Sequence, residues 1–194
     1  MEDDADRLIA EARRLRRAGE AEAALELLDQ ADRIGLGDDP VRGAAARMER
    51  GWAANALRRW PDAHAAFAAA AAAAPDDPQV RTWHGRALYN VARDAEAEAE
   101  LRAVLARDRD WWMAWSFLAD LCLVDGREQE AMEAFSEVLR IDPDNGYAYH
   151  QRGRLRAQAG DQAGAAADRQ ETARCGFDPA DLDEDEAEEG DDSG

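Results

Sequence analysis

The sequence has 194 residues, with 43 acidic side chains against 24 arginines, no lysine, and a formal net charge of −19. A net negative surface repels phosphate backbones and anionic lipid headgroups, and no basic stripe runs along the chain, so binding to nucleic acid or to a membrane surface is excluded. Two cysteines are too few for a disulfide framework, and no apolar run approaches the roughly 18 residues of a membrane span. The acidic start Glu2, Asp3, Asp4 is unlike a signal peptide, and a cytoplasmic protein with free thiols is expected. An arginine-only basic set points to a genome rich in G and C, and a bacterial source is expected.

Abundant alanine and the lack of Val, Ile and Thr runs favour helix throughout. Residues 5–18 and 21–34 read as a helix pair joined at Gly19, with Arg13, Arg14, Arg16 and Arg17 as the most basic patch. A second pair spans 40–57 and 61–74, with Asp39 as a cap, Trp60 in the turn and Pro61 at a helix start. The third spans 78–91 and 94–107, with Asp77 and Asp94 as caps. In the fourth, Trp115, Leu118, Ala119 and Cys122 share one helical face, Gly126 interrupts, Ala131, Phe135 and Val138 share a second face, and Pro143 closes the segment. The fifth covers 146–159 and 161–175, and its Arg152, Arg156 and Arg169 replace apolar residues, as the polar outer face of an end cap requires. From Asp178 onward stand ten acidic residues and no basic one, so a disordered tail is expected.

The pairs share one register of 34 residues. Ala63, Ala97, Ala131 and Ala165 recur, as do the small Gly51, Gly85, Ala119 and Gly153 and the bulky Phe67, Leu101 and Phe135, with Arg169 as an imperfect fourth. Small residues let two helices approach and the bulky one fills the gap. A further copy fits upstream through Ala12, Gly19, Ala24 and Leu28, set back by five extra residues at 39–43.

The order of Trp, Leu, small residue, then Ala, Phe and Pro over 112–145 resembles the tetratricopeptide repeat, with Cys122 where that family has an aromatic. The resemblance implies an all-α protein, an α-solenoid of about five antiparallel helix pairs in a superhelix, over residues 1–177. Its repeats would be 5–38, 44–77, 78–111, 112–145 and 146–179, followed by the acidic tail 178–194.

It also implies a groove lined by the first helix of each pair. Placed on this chain, the lining includes Arg13, Arg16, Arg17, Trp52, Asn55, Trp83, Arg86, Tyr89, Asn90, Phe117 and Arg154. Aromatics can take apolar anchors, arginines can pair with carboxylates, and the two asparagines can hold an extended backbone. The expected function is a non-catalytic scaffold that binds a peptide or helical segment of a protein partner, with an assembly chaperone as the alternative and self-association left open. Members of the family that hold the C-terminal carboxylate of heat-shock chaperones use a lysine/asparagine clamp; the absence of lysine, with Trp52 and Phe117 at clamp-like places, argues against that role.

No phosphate-binding glycine loop, nucleophile elbow or Cys-x-x-Cys is present. Asp142, Asp144 and Asn145 before Gly146 do not complete a calcium loop, because the glycine comes one residue too early and the closing glutamate is missing; they read as a turn and cap. His64, His84 and His150 fall in different repeats without ligand spacing, so His84 reads as a packing histidine. An enzyme, a metal and a cofactor are therefore not expected.

Overall fold

The computed structural model describes residues 2–35 and 40–180. Among these the chain runs through ten helices, α1 (Glu2–Arg17), α2 (Ala21–Arg33), α3 (Pro40–Ala56), α4 (Trp60–Ala73), α5 (Pro78–Asn90), α6 (Asp94–Arg107), α7 (Trp112–Val124), α8 (Glu128–Ile141), α9 (Gly146–Gln158) and α10 (Gln162–Arg174), with no strand. They pack as consecutive antiparallel pairs, the all-α solenoid arrangement that the repeat implies. The described helices group into two compact units that divide between Asp108 and Arg109, α1 to α6 and α7 to α10. The expected cap at Asp39 and the tail from Asp181 onward lie outside the described residues.

Inside the second and third pairs, one contact recurs. A methyl group placed on Gly51 of α3 would lie 2.5 Å from Cε1 of Phe67 on α4, and one on Gly85 of α5 would lie 3.0 Å from the Leu101 side chain on α6. Phe67 and Phe135 are wholly buried, as are Ala97 and Ala131 in their shared register. The last pair departs from the pattern: Arg169 is exposed, and Asp168 takes the interhelix place, 3.1 Å from where a Cβ on Gly153 would stand. Asp168 is buried because Arg152 grips it through Nε at 3.0 Å and Nη2 at 2.7 Å while Arg156 adds a bond at 2.9 Å. The arginines expected on a polar outer face therefore turn two of their number inward. A carboxylate at that depth is tolerated only when charge-paired on this scale.

Four other expectations are corrected. Asp77 caps α5 by accepting from the amides of Gln79 and Val80, but the N-cap of α6 is Arg93, and Asp94 is its first helical residue. Trp60 opens α4 instead of sitting in the turn, with the Arg58 guanidinium 5.8 Å from its ring centre. Trp115 is half-buried, because its indole N–H reaches out to the carbonyl of Arg109 at 2.9 Å; Leu118, Ala119 and Cys122 form the buried stripe of α7. Asn145 does act as a cap, accepting from the amide of Ala148, and Asp161, read as the first residue of the last helix, is instead its N-cap, accepting from the amide of Gly164.

The turn within each pair is closed by the same bond, from an amide to the carbonyl five residues earlier: Glu20 to Leu15, Arg59 to Ala54, Arg93 to Leu88, Arg127 to Cys122 and Asp161 to Arg156. That closure needs one residue in left-handed backbone, which Gly19, Gly126 and Gly160 supply. In the second and third pairs Arg58 (φ 55°) and Ala92 (φ 57°) carry it at the cost of a Cβ clash. Ala92→Gly is therefore expected to stabilise the protein by about 1 kcal/mol, read as a higher midpoint in a urea melt at unchanged slope.

Candidate functional site

In the first unit the first helices of the three pairs, α1, α3 and α5, are joined by contacts between groove candidates. Arg13 Nε donates to Glu49 Oε1 at 2.6 Å and Arg16 Nε to Glu49 Oε2 at 2.9 Å. The Arg16 guanidinium also lies 5.0 Å from the centre of the Trp52 ring, a cation–π contact. Trp52 meets Trp83 edge-to-face at 5.8 Å, and Trp83 stacks on Phe67 at 5.7 Å. Further along, Asn90 Nδ2 donates to Asn55 Oδ1 at 3.1 Å, and the Arg86 guanidinium lies 5.2 Å from the Tyr89 ring centre. Cations, rings and amides alternate along one face.

The face follows from the repeat register. Arg13, Trp52 and Arg86 are equivalent positions of successive pairs, as are Arg16, Asn55 and Tyr89, so a helix geometry repeated three times delivers each set to the same side. Trp52, Asn55, Trp83, Arg86, Tyr89 and Asn90 are all half-buried, so each combines a fixed position with an open edge. The indole N–H of Trp52 is buried and finds no acceptor among the described residues, a cost that the ring contacts offset. Arg17 is exposed and has no hydrogen-bond or ion-pair partner among the described residues.

Phe117 and Arg154 belong to the second unit. Phe117 is half-buried on α7, and Arg154 is exposed on α9, where its Nη1 donates to Gln151 Oε1 at 3.0 Å. Nearby, the Tyr147 hydroxyl donates to Asp120 Oδ1 at 2.5 Å.

Two features were not anticipated from the sequence. Glu49 is 2% exposed, yet both its oxygens face arginines of the neighbouring pair. Its register position is the one held by Trp83 and Phe117, the one sequence signal that places it with the groove candidates. The second is a stack of His64 on His84, ring centres 5.7 Å apart, although the two come from different repeats. His84 Nδ1 lies 3.4 Å from Glu100, which also accepts two 2.9 Å bonds from Arg81. Arg93 Nη1 lies 3.1 Å from His64 Nε2 and so fits a neutral ring that accepts there. Burial first, then the neighbouring His84 and Arg93, hold the His64 pKa below its ordinary value, and the Arg81 contact holds the Glu100 carboxyl below its own. Among the described residues no group of three or more His, Cys, Asp or Glu side chains could hold a metal ion, and no helix is long and apolar enough to cross a membrane.

No family model matches the chain. Protein FlbA of Caulobacter vibrioides is 31% identical over 110 residues, which is 57% of this chain and 18% of FlbA, so the chain spans less than a fifth of that relative's length. Among solved structures, PilF of Pseudomonas aeruginosa superposes with a TM-score of 0.79 at 19% identity, over 92% of this chain and 79% of PilF. MamA from residue 41 of Desulfovibrio magneticus RS-1 gives 0.70 at 20% identity, over 98% of both chains. YrrB, described as a tetratricopeptide-repeat protein with an unusual peptide-binding site, gives 0.61 at 20% identity, over 90% of this chain and 87% of YrrB. At these identities the likeness establishes the fold, which is that of the tetratricopeptide repeat.

The histidine stack carries a pH dependence. Because the folded pKa of His64 lies below the ordinary value near 6.5, the unfolded chain takes up the proton first, and stability falls as the pH drops from about 6.5 toward the folded value. Thermal melts between pH 7.5 and 5.5 should show wild type losing stability relative to His64→Asn on acidification; parallel curves for the two would contradict this.

Proposed function

We propose that this chain, which has the tetratricopeptide-repeat fold, is a non-catalytic interaction scaffold that binds an extended or helical segment of a partner protein along the first helices of its pairs. The observation that carries the reading is the row of half-buried rings, guanidiniums and amides on α1, α3 and α5, from Arg16 over Trp52 and Trp83 to the Asn55–Asn90 pair. Rings offer apolar anchoring at small entropic cost, and the amides offer donors and acceptors to a main chain. Tyr89, Arg86 and the exposed Arg17 extend the same face. In the second unit Phe117 and Arg154 stand at the repeat positions of Trp83 and Arg86 and would supply that unit's part of the lining.

The peptide-binding site named for YrrB supports this use of the fold, and the acidic chain, whose two cysteines form no disulfide, suits a reducing, cytoplasmic setting. Residues 178–194 are proposed as an acidic tail outside the binding unit.

Photo-crosslinking in the source lysate tests the face directly. With benzoylphenylalanine in place of Tyr89 a discrete protein adduct is expected, and with the same residue in place of the exposed Ala65 on α4 none is. An adduct formed from position 65 and not from 89 would move binding to the second helices and overturn the reading.

A further inference from the structure

Glu49 calls for a reason beyond lining a face. A carboxylate that is 2% exposed on α3 costs free energy unless it is paired, and here each oxygen receives a single nitrogen, the Nε of Arg13 and the Nε of Arg16. A staple between α1 and α3 would be stronger with two-pronged contacts, as Arg81 makes to Glu100. Instead the terminal Nη groups of both arginines make no hydrogen bond or ion pair among the described residues. The inner edges of two adjacent guanidiniums are thus locked and their outer edges are left to be used. The Arg13 side chain is 47% exposed and that of Arg16 is 21% exposed, with Arg16 held further by the Trp52 ring. One carboxylate against two arginines leaves a positive balance, and Arg17 adds to it.

Beside this pair an open cleft of about 360 Å³ separates α1 from α3. Ile9, Ala10, Val41 and Ala45 give it apolar walls, Arg13 stands on its border, and Val41 is 80% exposed there. The Asp6–Arg42 ion pair at 2.8 Å also lines the cleft.

We propose that Arg13 and Arg16, positioned by Glu49, capture one carboxylate of a peptide segment whose neighbouring apolar side chain enters the cleft between α1 and α3. The inference rests on the peptide-binding reading and adds to it the chemistry of the segment: an acidic group next to an apolar one. Carboxylate recognition by guanidinium is favoured because the open Nη edges offer paired donors at fixed spacing. Glu49 is a positioning residue, and its role has a signature. If the arginines acted through charge alone, neutralising Glu49 would strengthen binding of an acidic peptide; if it aims them, neutralisation weakens binding.

The test uses the full chain as bait for two random heptapeptide libraries, one ending in a free carboxylate and one blocked at the C-terminus. Peptides with Asp, Glu or the free terminus beside an apolar residue are expected to be selected, and the library that yields them identifies which carboxylate is read. A selected peptide should bind Glu49→Gln and the double variant Arg13→Lys, Arg16→Lys roughly tenfold or more weakly than wild type in fluorescence polarisation. The lysine variant keeps both charges opposite Glu49 and so decides the matter if Glu49→Gln fails to fold by circular dichroism. Equal or tighter binding by folded Glu49→Gln, or undiminished binding by the lysine variant, would overturn the proposal. Selection of peptides without an acidic group, lost on Trp83→Ala, would overturn it while leaving the peptide-binding reading intact; selection of nothing from either library would overturn both.

Discussion

The contact on which the rest depends is a large side chain of a second helix pressed into the space left by a missing side chain on the first. Phe67 against Gly51 is the tightest case, Leu101 against Gly85 a looser one. Helices that approach this closely have little freedom to rotate, since any turn drives a ring into backbone. Each such pair becomes a unit of fixed geometry, and within the first unit the repeat register then delivers equivalent side chains to the same side.

The candidate face of the first unit is a continuation of that contact. Phe67 is wholly buried, Trp83 stacks on it, Trp52 meets both rings, and Arg16 lies over Trp52 while also bonded to Glu49. Core and surface are therefore one chain of contacts, running from a packed ring to an open guanidinium edge. Positions fixed in this way lose little conformational entropy on binding, which is the property a recognition surface needs. The last pair solves the same packing problem differently, with Asp168 and two arginines where the other pairs use apolar bulk.

Helix limits were legible to within three residues because Gly, Pro and capping side chains stand at the turns, and the turn chemistry does not depend on distant contacts. The small and bulky registers were legible for the same reason. What periodicity misread was partnership. Arg169 keeps the register of Phe135, yet the buried residue is Asp168, because two arginines of α9 can satisfy a carboxylate one place earlier. Nothing in the sequence pairs Glu49 with the arginines of the preceding repeat, and only the arrangement of α1 beside α3 shows that two of them bury it. His64 and His84 are 20 residues apart and meet because α4 packs on α5, a pairing that no ligand spacing announces.

A double-mutant cycle on Gly51→Ala and Phe67→Leu measures the interlock itself. In the presence of Phe67 the added methyl should cost roughly 1 to 3 kcal/mol in a denaturant melt, and with leucine at position 67 much of that cost should vanish, since a methyl on Gly85 would stand 3.0 Å from Leu101 where one on Gly51 would stand 2.5 Å from Phe67. Coupling of that sign would establish that ring and glycine specify one another. Strictly additive costs would mean that the approach of α3 to α4 is set by something else, and the geometry of the face would need a different origin.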